Sequence, residues 1–446
     1  MRGKELYLRD KNVIADVLKL RFFPVIAEKG YGSTLVDVDG KEYLDFSAGW
    51  AVANTGYCHP RIIDAVNKQM QKLSFSTLTS VMSEESILLA ERICDLIPGD
   101  FEKKVWFGHS GSDANELLAK MLPIATKRPR ILSFVGSYHG MTMGAYGMSG
   151  HPAQSDFISG GNVIKVAYPY CYRCPFAKEV KTCEFFCIKY IEDYVLGSVV
   201  APSQVGAFIA ESVQSDGGDV VPPAGYFKEL ERVCKKHGIY LIFDEVKVGY
   251  GRTGEMFGFM HDNVIPDAVV LGKPIGSGQP LSAVVGRKEI MDASTGAHLF
   301  TTGGNPVACA SGLETLEIMK DEKLAQNAAE VGEYLKDEFW ELAKKYEVIG
   351  DVRGKGLIIG IELVLDRETK EPASDLAAMV SYRCYELGLL LFCAGIFSSV
   401  LEMTPPLVLT KEEAKRAVKI IEQSIDDSIN GRVDEAKVKE FAGWAI

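Results

Sequence analysis

The sequence predicts an α/β protein built on a doubly wound, mostly parallel sheet. Helical patterns such as RIIDAVNKQMQKL and EESILLAERICDLI alternate with short apolar runs, among them RILSFV, VGAFIAE, YLIFDEV and DAVVLG. Alternation of this kind is typical of parallel strands that are joined through crossover helices. Polar and small residues follow several of these runs, where the strands would end. Because open α/β sheets bind ligands at the carboxyl ends of their strands, we expect a ligand site at that edge.

The chain is long enough for two or three domains, at 446 residues. Alternating residues on either side of Asp39-Gly40, in TLVDVDGKEYLDF, predict a hairpin. We expect residues 1–55 to form an N-terminal arm and this hairpin, and residues 56–325 to form the large domain. Residues 326–446 are predicted to form a small α/β domain, which the N-terminal hairpin joins. A long helical stretch, NPVACASGLETLEIMKDEKLAQNAAEVGEYLKDEFWELAKKY, leads from the large domain into the small one.

Composition limits the class of protein. Hydrophobic residues make up 47% and charged residues 24%, as in ordinary soluble globular proteins. The net charge of -11 and the pI near 5.3 argue against a nucleic-acid partner. No apolar run approaches the roughly 18 residues that span a bilayer, and the first residues lack the apolar core of a signal peptide. We therefore expect a cytoplasmic enzyme with a small-molecule substrate and without a membrane partner.

Four of the ten cysteines lie close together, in an expected surface insertion at about residues 168–190. Their spacing is C-x2-C followed by C-x3-C: Cys171, Cys174, Cys183 and Cys187. The spacing is compatible with a structural zinc or iron–sulfur site. It is equally compatible with four reduced thiols, or with disulfides, which in the cytosol would indicate a thermophilic source. In each case the cluster would stabilise the insertion and lie apart from the catalytic centre.

An acid and a lysine mark the ends of two successive apolar runs. LIFDEV carries Asp244 near its end, and DAVVLGK ends in Lys273. Neighbouring parallel strands would bring both side chains to one edge of the sheet. A carboxylate beside a pyridinium nitrogen and a lysine that forms an imine are what pyridoxal phosphate requires. A salt-bridged acid and a solvated lysine are the alternative interpretation.

Further loops at strand ends could complete such a site. After KVWFG, the small residues around Ser112 open a helix whose free amides could bind a phosphate, although a plain helix cap would look the same. Tyr138, in GSYHG, could stack on a flat ring or be an ordinary buried tyrosine. The remaining candidates are polar side chains that follow other strands: Glu211, Asp216, Thr301 and Thr302.

The order of these motifs resembles that of the class III aminotransferases. These are pyridoxal-phosphate enzymes of fold type I and include the ornithine, 4-aminobutyrate and acetylornithine aminotransferases. The resemblance covers nearly the whole chain, from DVDGKEYLDF to TPPLVLT, and is most specific in DEVKVGYGRTGEMF and PDAVVLGKPIGSGQPLSAVVG. It implies pyridoxal 5′-phosphate as cofactor, an amino-acid substrate, and a homodimer or dimer of dimers with shared active sites.

Residue by residue, the resemblance implies that Lys273 binds the coenzyme as an imine and carries the Cα proton of the substrate. Asp244 would pair with the protonated ring nitrogen, and Tyr138 and Val246 would cover the two ring faces. Thr301 would reach the phosphate of the neighbouring subunit. The other coenzyme contacts that the resemblance implies are phosphate ligands and supporting residues, namely Ser110, Gly111, Ser112, His139, Glu211, Lys247 and Thr302.

The chain departs from the family where substrates are bound. Met141 replaces the arginine of Tyr-His-Gly-Arg-Thr, and Glu402 replaces an arginine shortly before Pro-Pro-Leu. Both replacements remove a bidentate carboxylate clamp, which disfavours 2-oxoglutarate as a substrate. Lys247 replaces a glutamine near the ring hydroxyl, where it could favour the phenolate or point to solvent. Trp50 replaces smaller residues and could narrow the substrate pocket.

Asp216 indicates a different reaction. It lies in Gln-Ser-Asp-Gly-Gly, where aminotransferases of the family have Gly-Glu-Gly-Gly and members that racemise or epimerise amino acids have an aspartate. Racemisation removes a proton from one face and returns it on the other, so Lys273 and Asp216 could serve opposite faces; alternatively, Asp216 caps the following turn. We predict a racemase or epimerase for neutral amino acids with Lys273, Asp216 and Asp244 as catalytic residues. The alternative is an aminotransferase with an unusual acceptor.

Overall fold

The computed structural model describes residues 2–152 and 162–441. Its strands are β1 (Ala27–Tyr31), β2 (Thr34–Asp37), β3 (Glu42–Asp45), β4 (Lys103–Gly108), β5 (Arg130–Phe134), β6 (Val163–Val166), β7 (Val205–Glu211), β8 (Tyr240–Asp244), β9 (Ala268–Leu271), β10 (Ser282–Arg287), β11 (Ile349–Lys355), β12 (Ile358–Asp366), β13 (Glu371–Pro372), β14 (Leu389–Leu390), β15 (Phe392–Ala394) and β16 (Val400–Met403).

The helices are α1 (Arg2–Val13), α2 (Ala48–Ala51), α3 (Pro60–Lys72), α4 (Glu84–Leu96), α5 (Gly111–Thr126), α6 (Met143–Met148), α7 (Phe186–Lys189), α8 (Tyr226–His237), α9 (Lys288–Met291), α10 (Pro306–Asp321), α11 (Leu324–Lys345), α12 (Ser374–Glu386), α13 (Lys411–Ile429) and α14 (Glu435–Glu440). Within the two described ranges, no helix is both long enough and apolar enough to cross a membrane.

The central sheet has seven strands in the order β4-β10-β9-β8-β7-β5-β6. Strands β9, β8, β7, β5 and β6 run parallel to one another, and β10 is antiparallel to both of its neighbours. Each face of the sheet has its own core, so Phe208 and Ala210 of β7 pack on one side and Ala207 and Ile209 on the other. Burial on both faces explains why these strands are continuous apolar runs. The predicted doubly wound, mostly parallel sheet is confirmed.

The register of the central strands brings polar residues together at one edge. Glu211, the last residue of β7, pairs with Asp244, the last residue of β8, and Asp244 pairs in turn with Val270 of β9. Lys273 follows β9 by two residues. Three successive strands therefore deliver two acids and a lysine to the same end of the sheet.

Two further sheets lie outside the central one: the first combines strands from both ends of the chain, and the second is built from the C-terminal part. The predicted hairpin is present as β2 and β3, with Gly40 at a φ of 86° in the turn. Strand β14 then adds to β3 in parallel, so the first sheet has the order β1-β2-β3-β14, and the second has the order β11-β12-β16-β15 with β13 beside β12. One core includes Leu44 from the N-terminal part and Leu389 and Leu401 from the C-terminal part. The domain limits at residues 55 and 325 stay a prediction, and residues 442–446 of the third segment lie outside the described residues.

The long helical stretch after residue 305 is divided into two helices. Helix α10 packs against α3 and α4, whereas α11 packs against β11 and α13. Lys323, which precedes α11, adopts a left-handed conformation with a φ of 51°. The helical pattern of the sequence has no glycine or proline at this point, so the division reflects the two different surfaces that the helices cover.

Candidate active site

A cavity of about 420 Å³ opens at the carboxyl ends of the central strands. Most of the predicted site residues line it: Ser110, Gly111, Ser112, Tyr138, His139, Glu211, Asp216, Asp244, Val246, Lys247 and Lys273. Segments that are more than 150 residues apart in the chain thus meet in one place. The alternative interpretation of Asp244 and Lys273, as unrelated surface groups, does not fit this arrangement.

Asp244 is held by three hydrogen bonds. His139 Nδ1 lies 2.7 Å from Asp244 Oδ2, the amide of Asn115 donates to the same oxygen at 2.8 Å, and the backbone N–H of Val246 donates to Oδ1 at 3.0 Å. The contact with the carboxylate assigns a proton to His139 Nδ1. Asn115 also donates to the carbonyl of His139 at 2.8 Å, which fixes both groups. Asn115 was not singled out in the sequence, although it lies one helical turn after Gly111.

The first turn of α5 faces the cavity. Ser110 and Asp113 form a capping box: Ser110 Oγ accepts from the backbone of Asp113, and Asp113 Oδ2 accepts from the backbone of Ser110. Gly111 is required by close packing, because a Cβ at this position would lie 2.8 Å from Val246 Cγ1. Helix N-termini of this kind bind anions through their free amides and their dipole. Ser110, Gly111 and Ser112 can therefore hold a phosphate, although the cap is also complete without one.

Lys273 is held in an unusual backbone conformation at the cavity. Its φ is 43°, in the left-handed region, which costs a non-glycine residue about 1–3 kcal/mol and is often found at functional sites. Burial lowers the pKa of Lys273 below its ordinary value, and the positive charge of Lys247 lowers it further. A lowered pKa favours the neutral amine, which is the nucleophilic form of lysine.

Asp216 lies in a tight loop between β7 and α8. Ser215 O accepts from the backbone N–H groups of Gly218 and Asp219, and Asp216 O accepts from Gly395 N. The backbone therefore closes the turn, while Asp216 Oδ1 accepts a hydrogen bond from Lys247 Nζ at 3.2 Å. This arrangement does not fit the alternative in which the Asp216 side chain caps the turn.

Arg353 secures this loop from β11. Its guanidinium donates two hydrogen bonds to the carbonyl of Gly218, and it forms ion pairs with Asp351 and Glu362 at 2.9 and 2.6 Å. The same Glu362 accepts from Tyr170 at the edge of the cysteine-rich segment. Arg353 was missed in the sequence, since nothing in GDVRGKG indicates which distant loop it will reach.

Lys247, Glu402 and Trp50 form one group beside the cavity. Lys247 Nζ donates to Glu402 Oε1 at 2.6 Å and lies 5.1 Å from the centre of the Trp50 ring. Trp50 in turn packs on Phe392, with ring centres 4.4 Å apart. Lys247 is only 6% exposed, so the expectation that it could point to solvent is wrong. Neither Trp50 nor Glu402 lines the cavity. Both contact Lys247, which does line it.

Three further predicted residues also lie outside the cavity. The Met141 side chain is 57% exposed. Thr301 and Thr302 are exposed as well, and Thr302 Oγ1 lies 2.6 Å from His109 Nε2. The expected role of Thr301, contact with the phosphate of a neighbouring subunit, stays a prediction, and so does the role of Met141 in the substrate pocket.

The four clustered cysteines line a small pocket of their own, together with Tyr168, Pro223 and aromatic residues of the insertion. All four are free thiols in the structure. Among residues 2–152 and 162–441, no set of three or more His, Cys, Asp or Glu side chains is arranged to hold a metal ion. Burial raises the pKa values of Cys171 and Cys187 to about 11, so these two thiols are protonated and weakly reactive at neutral pH.

Comparison with known proteins places the chain in a family. A model of the family described as aminotransferase class-III matches residues 17–425. The chain belongs to the class III aminotransferases. It is 41% identical to the alanine/serine racemase of Pyrococcus horikoshii, over 98% of this chain and 93% of that protein, and 40% identical to the leucine/methionine racemase of Thermococcus litoralis, over the full length of both. A Bacillus anthracis aminotransferase has a similar structure, with a TM-score of 0.88 at 33% identity, covering 95% of this chain and 98% of that one.

The family confirms the predicted fold type I and the predicted cofactor, pyridoxal phosphate. The residues of this class III aminotransferase fit that cofactor. Two buried polar atoms at the cavity, Glu211 Oε2 and His139 Nε2, have no hydrogen-bond partner among the described residues. An aromatic coenzyme with a ring hydroxyl and a phosphate would supply polar groups for such atoms, and the cavity lined by Gly111 and Val246 has a volume of about 420 Å³.

Proposed function

We propose that this protein is a racemase or epimerase for neutral amino acids. The observation that carries the proposal is the position of Asp216, which lines the same cavity as Lys273 and has its carboxylate directed at Lys247 instead of at its own turn. Asp216 would thus be a second proton-carrying group in the cavity of Lys273. The similarity to two racemases, each over nearly the whole chain, supports the same conclusion.

Two residues would move the proton. Pyridoxal phosphate, when bound, withdraws electrons from the Cα–H bond of the attached amino acid. Lys273 Nζ would take up the proton on one face of Cα, and the carboxylate of Asp216 would do so on the other. Either residue could act as the base, while the other returns a proton, so both enantiomers would be substrates. Asp244 would keep the ring nitrogen protonated, because His139, Asn115 and the Val246 amide fix its carboxylate in place.

The substrate is expected to be an amino acid with an uncharged side chain. Glu402 stands where the family usually has a carboxylate-binding arginine, and its Oε1 is 2.6 Å from Lys247 Nζ. The cluster therefore lacks a guanidinium for a second carboxylate. Trp50 and Phe392 add an apolar wall behind Lys247. The racemases of similar sequence are named for alanine, serine, leucine and methionine, which gives the first panel of substrates.

The test is incubation of the purified holoenzyme with single L-amino acids in D2O, without any keto acid, followed by chiral chromatography and mass spectrometry. Appearance of the D-enantiomer with deuterium at Cα is the expected result. Deuterium incorporation with retained configuration would show that Lys273 acts alone and would overturn the proposal. Formation of a new amino acid only when a keto acid is added would identify an aminotransferase, the activity named for the similar Bacillus anthracis structure.

We further propose a homodimer, or a dimer of dimers, with shared active sites. Thr301 is exposed and lies outside the cavity of its own chain. Nearby segments carry exposed apolar side chains, namely Leu299 at 62% and Met143 at 65%. Sedimentation equilibrium of the holoenzyme should give at least twice the monomer mass; a monomer with full activity would contradict shared sites.

A cytoplasmic location, a thermophilic source and an absence of nucleic-acid and membrane partners stay expectations of the sequence. Cell fractionation and a thermal unfolding curve would test the first two. Metal analysis and thiol counting on the purified protein would decide among the three alternatives for Cys171, Cys174, Cys183 and Cys187.

A further inference from the structure

A buried lysine connects the proposed second base with an acid on another strand. Lys247 Nζ lies 3.2 Å from Asp216 Oδ1 and 2.6 Å from Glu402 Oε1, and the Trp50 ring lies beside it. Lys247 is 6% exposed and Glu402 is 1% exposed, so water screens this ion cluster very little. Breaking a buried ion pair leaves an uncompensated charge, and the three groups are therefore tied to one another.

Buried carboxyl groups around the cavity differ in their protonation. Burial raises the pKa of Glu211 well above its ordinary value, and the charges of Asp244 and Asp216 raise it further. Burial and the nearby Glu402 raise the pKa of Asp219 in the same way. Burial would also raise the pKa of Asp216, but the ammonium groups of Lys247 and Lys273 outweigh burial and hold it below its usual range. Environments that separate the pKa values of neighbouring acids assign them different roles.

We propose that Lys247 is a positioning residue that favours the ionised, basic form of Asp216 for the step in which Asp216 takes up the proton, with Glu402 anchoring the lysine from the other side. The inference rests on the proposed racemase function and adds the reason why the second base is active. It also accounts for two departures from the family at once. The lysine in place of glutamine supplies the charge, and the glutamate in place of arginine holds that charge next to Asp216.

Lys247 contacts the Asp216 carboxylate at 3.2 Å, and several other ionisable groups also act on Asp216. Among the described residues, the ionisable groups that act on Asp216 or on its partners include Lys273 after β9, His151 after α6, Glu211 and Asp244 at the ends of β7 and β8, Asp219 in the loop after β7, Tyr138 after β5, and Glu402 on β16. Lys273 would change its charge as it takes up and returns the proton, and burial lowers the pKa of His151. Lys247 is then the cation that remains beside Asp216 throughout the reaction.

The direct test is infrared spectroscopy of the apoenzyme, which needs no turnover. The difference spectrum between the wild type and Asp216→Asn contains the band of the Asp216 carboxyl group. At neutral pH we expect an ionised carboxylate band in the wild type. In the Lys247→Gln background, which has the glutamine usual in the family, the pH at which the protonated carboxyl band replaces the carboxylate band should be about one to three units higher than in the wild type. An unchanged midpoint of the Asp216 titration in that background would overturn the inference and would leave the racemase proposal untouched.

The pH profile of the holoenzyme provides the second measurement. An opposite charge within about 4 Å lowers a carboxyl pKa by about one to three units, so Lys247→Gln should raise the acidic limb of kcat/KM by about one to three pH units. Lys247→Arg keeps the charge and should leave the midpoint of the acidic limb within about half a pH unit of the wild-type value. This variant provides the test if Lys247→Gln does not fold. Lys165→Gln, at an exposed position on β6, is the matched control. An unshifted acidic limb in a folded Lys247→Gln variant would contradict the inference. If the protein shows the infrared change but does not racemise any amino acid, only the proposed function is contradicted.

Discussion

Substitution of Gly111 by alanine offers a quantitative test of how the coenzyme fits. The new Cβ would lie 2.8 Å from Val246 Cγ1 and 2.9 Å from Val246 Cγ2. Both methyl groups are too close, so rotation about χ1 of Val246 removes only one of the two overlaps. In the apoenzyme the valine can move into the open cavity, which it lines. In the holoenzyme this space would be taken by the coenzyme ring, and the strain would appear as weaker binding.

The expected loss follows from the cost of overpacking. Extra methylene groups in a packed site typically cost about 1–3 kcal/mol, which corresponds to an increase in the Kd for pyridoxal phosphate of about 5- to 150-fold. The free energy of unfolding of the apoenzyme should change little, because alanine is better than glycine within a helix by up to about 1 kcal/mol. Titration of the apoenzyme, followed by its visible absorbance, gives the Kd, and urea unfolding gives the stability.

A double-mutant cycle separates this strain from other effects. Val246→Ala removes both methyl groups, so Gly111→Ala should cost far less in that background, with a coupling energy of about 1–3 kcal/mol. Gly197→Ala is the control, since a Cβ at this position meets no atom within 4 Å. Additive effects of the two substitutions, with coupling below about 0.5 kcal/mol, would refute the proposed contact between Gly111, Val246 and the coenzyme.

Three further predictions concern the ionisable residues. Lys273→Ala should abolish turnover and also the covalent adduct that borohydride reduction traps, as seen by mass spectrometry; appreciable racemisation would remove the lysine from the reaction. Asp216→Asn should slow inversion of configuration at least tenfold relative to deuterium exchange at Cα, and an equal loss of both rates would return Asp216 to a structural role. Burial raises the pKa of Glu245 from 4.5 to about 7. The folded state therefore binds this proton more tightly than the unfolded chain does. The contribution of the proton to the free energy of unfolding, about 3 kcal/mol, is complete below pH 4.5 and is lost as the pH rises to about 7. Glu245→Gln should flatten the unfolding free energy across that range, and an unchanged slope would show that Glu245 is ionised throughout.

Much of the fold follows from local patterns in the sequence. The runs that form β5, β7, β8 and β9 are apolar without alternation because each strand is covered on both faces. The Asp39-Gly40 turn needs a left-handed conformation, which Gly40 adopts with a φ of 86°. The break at Lys323 was not evident, because it depends on which surfaces α10 and α11 cover.

The site was predictable to the extent that its residues follow strands. Asp244 is the last residue of β8, and Lys273 follows the neighbouring parallel strand β9 by two residues. Topology alone therefore brings both residues to one edge of the sheet. Asn115 and Arg353 were missed, because a single asparagine on a helix or arginine on a strand has no local pattern that names its distant partner. The orientation of Lys247 was left open for the same reason: it depends on Glu402, which lies 155 residues away.

The sequence by itself determined the α/β class, the coenzyme and the family, because these depend on periodicity and on motifs within short segments. Only the tertiary structure decided how the unusual residues act. It placed the Asp216 carboxylate against Lys247 and joined Lys247 to Glu402, so that three departures from the family became one ion cluster. The physical reason is that the charge state of a buried acid is set by the groups within a few ångströms of it, and these come from strands that are far apart in the chain.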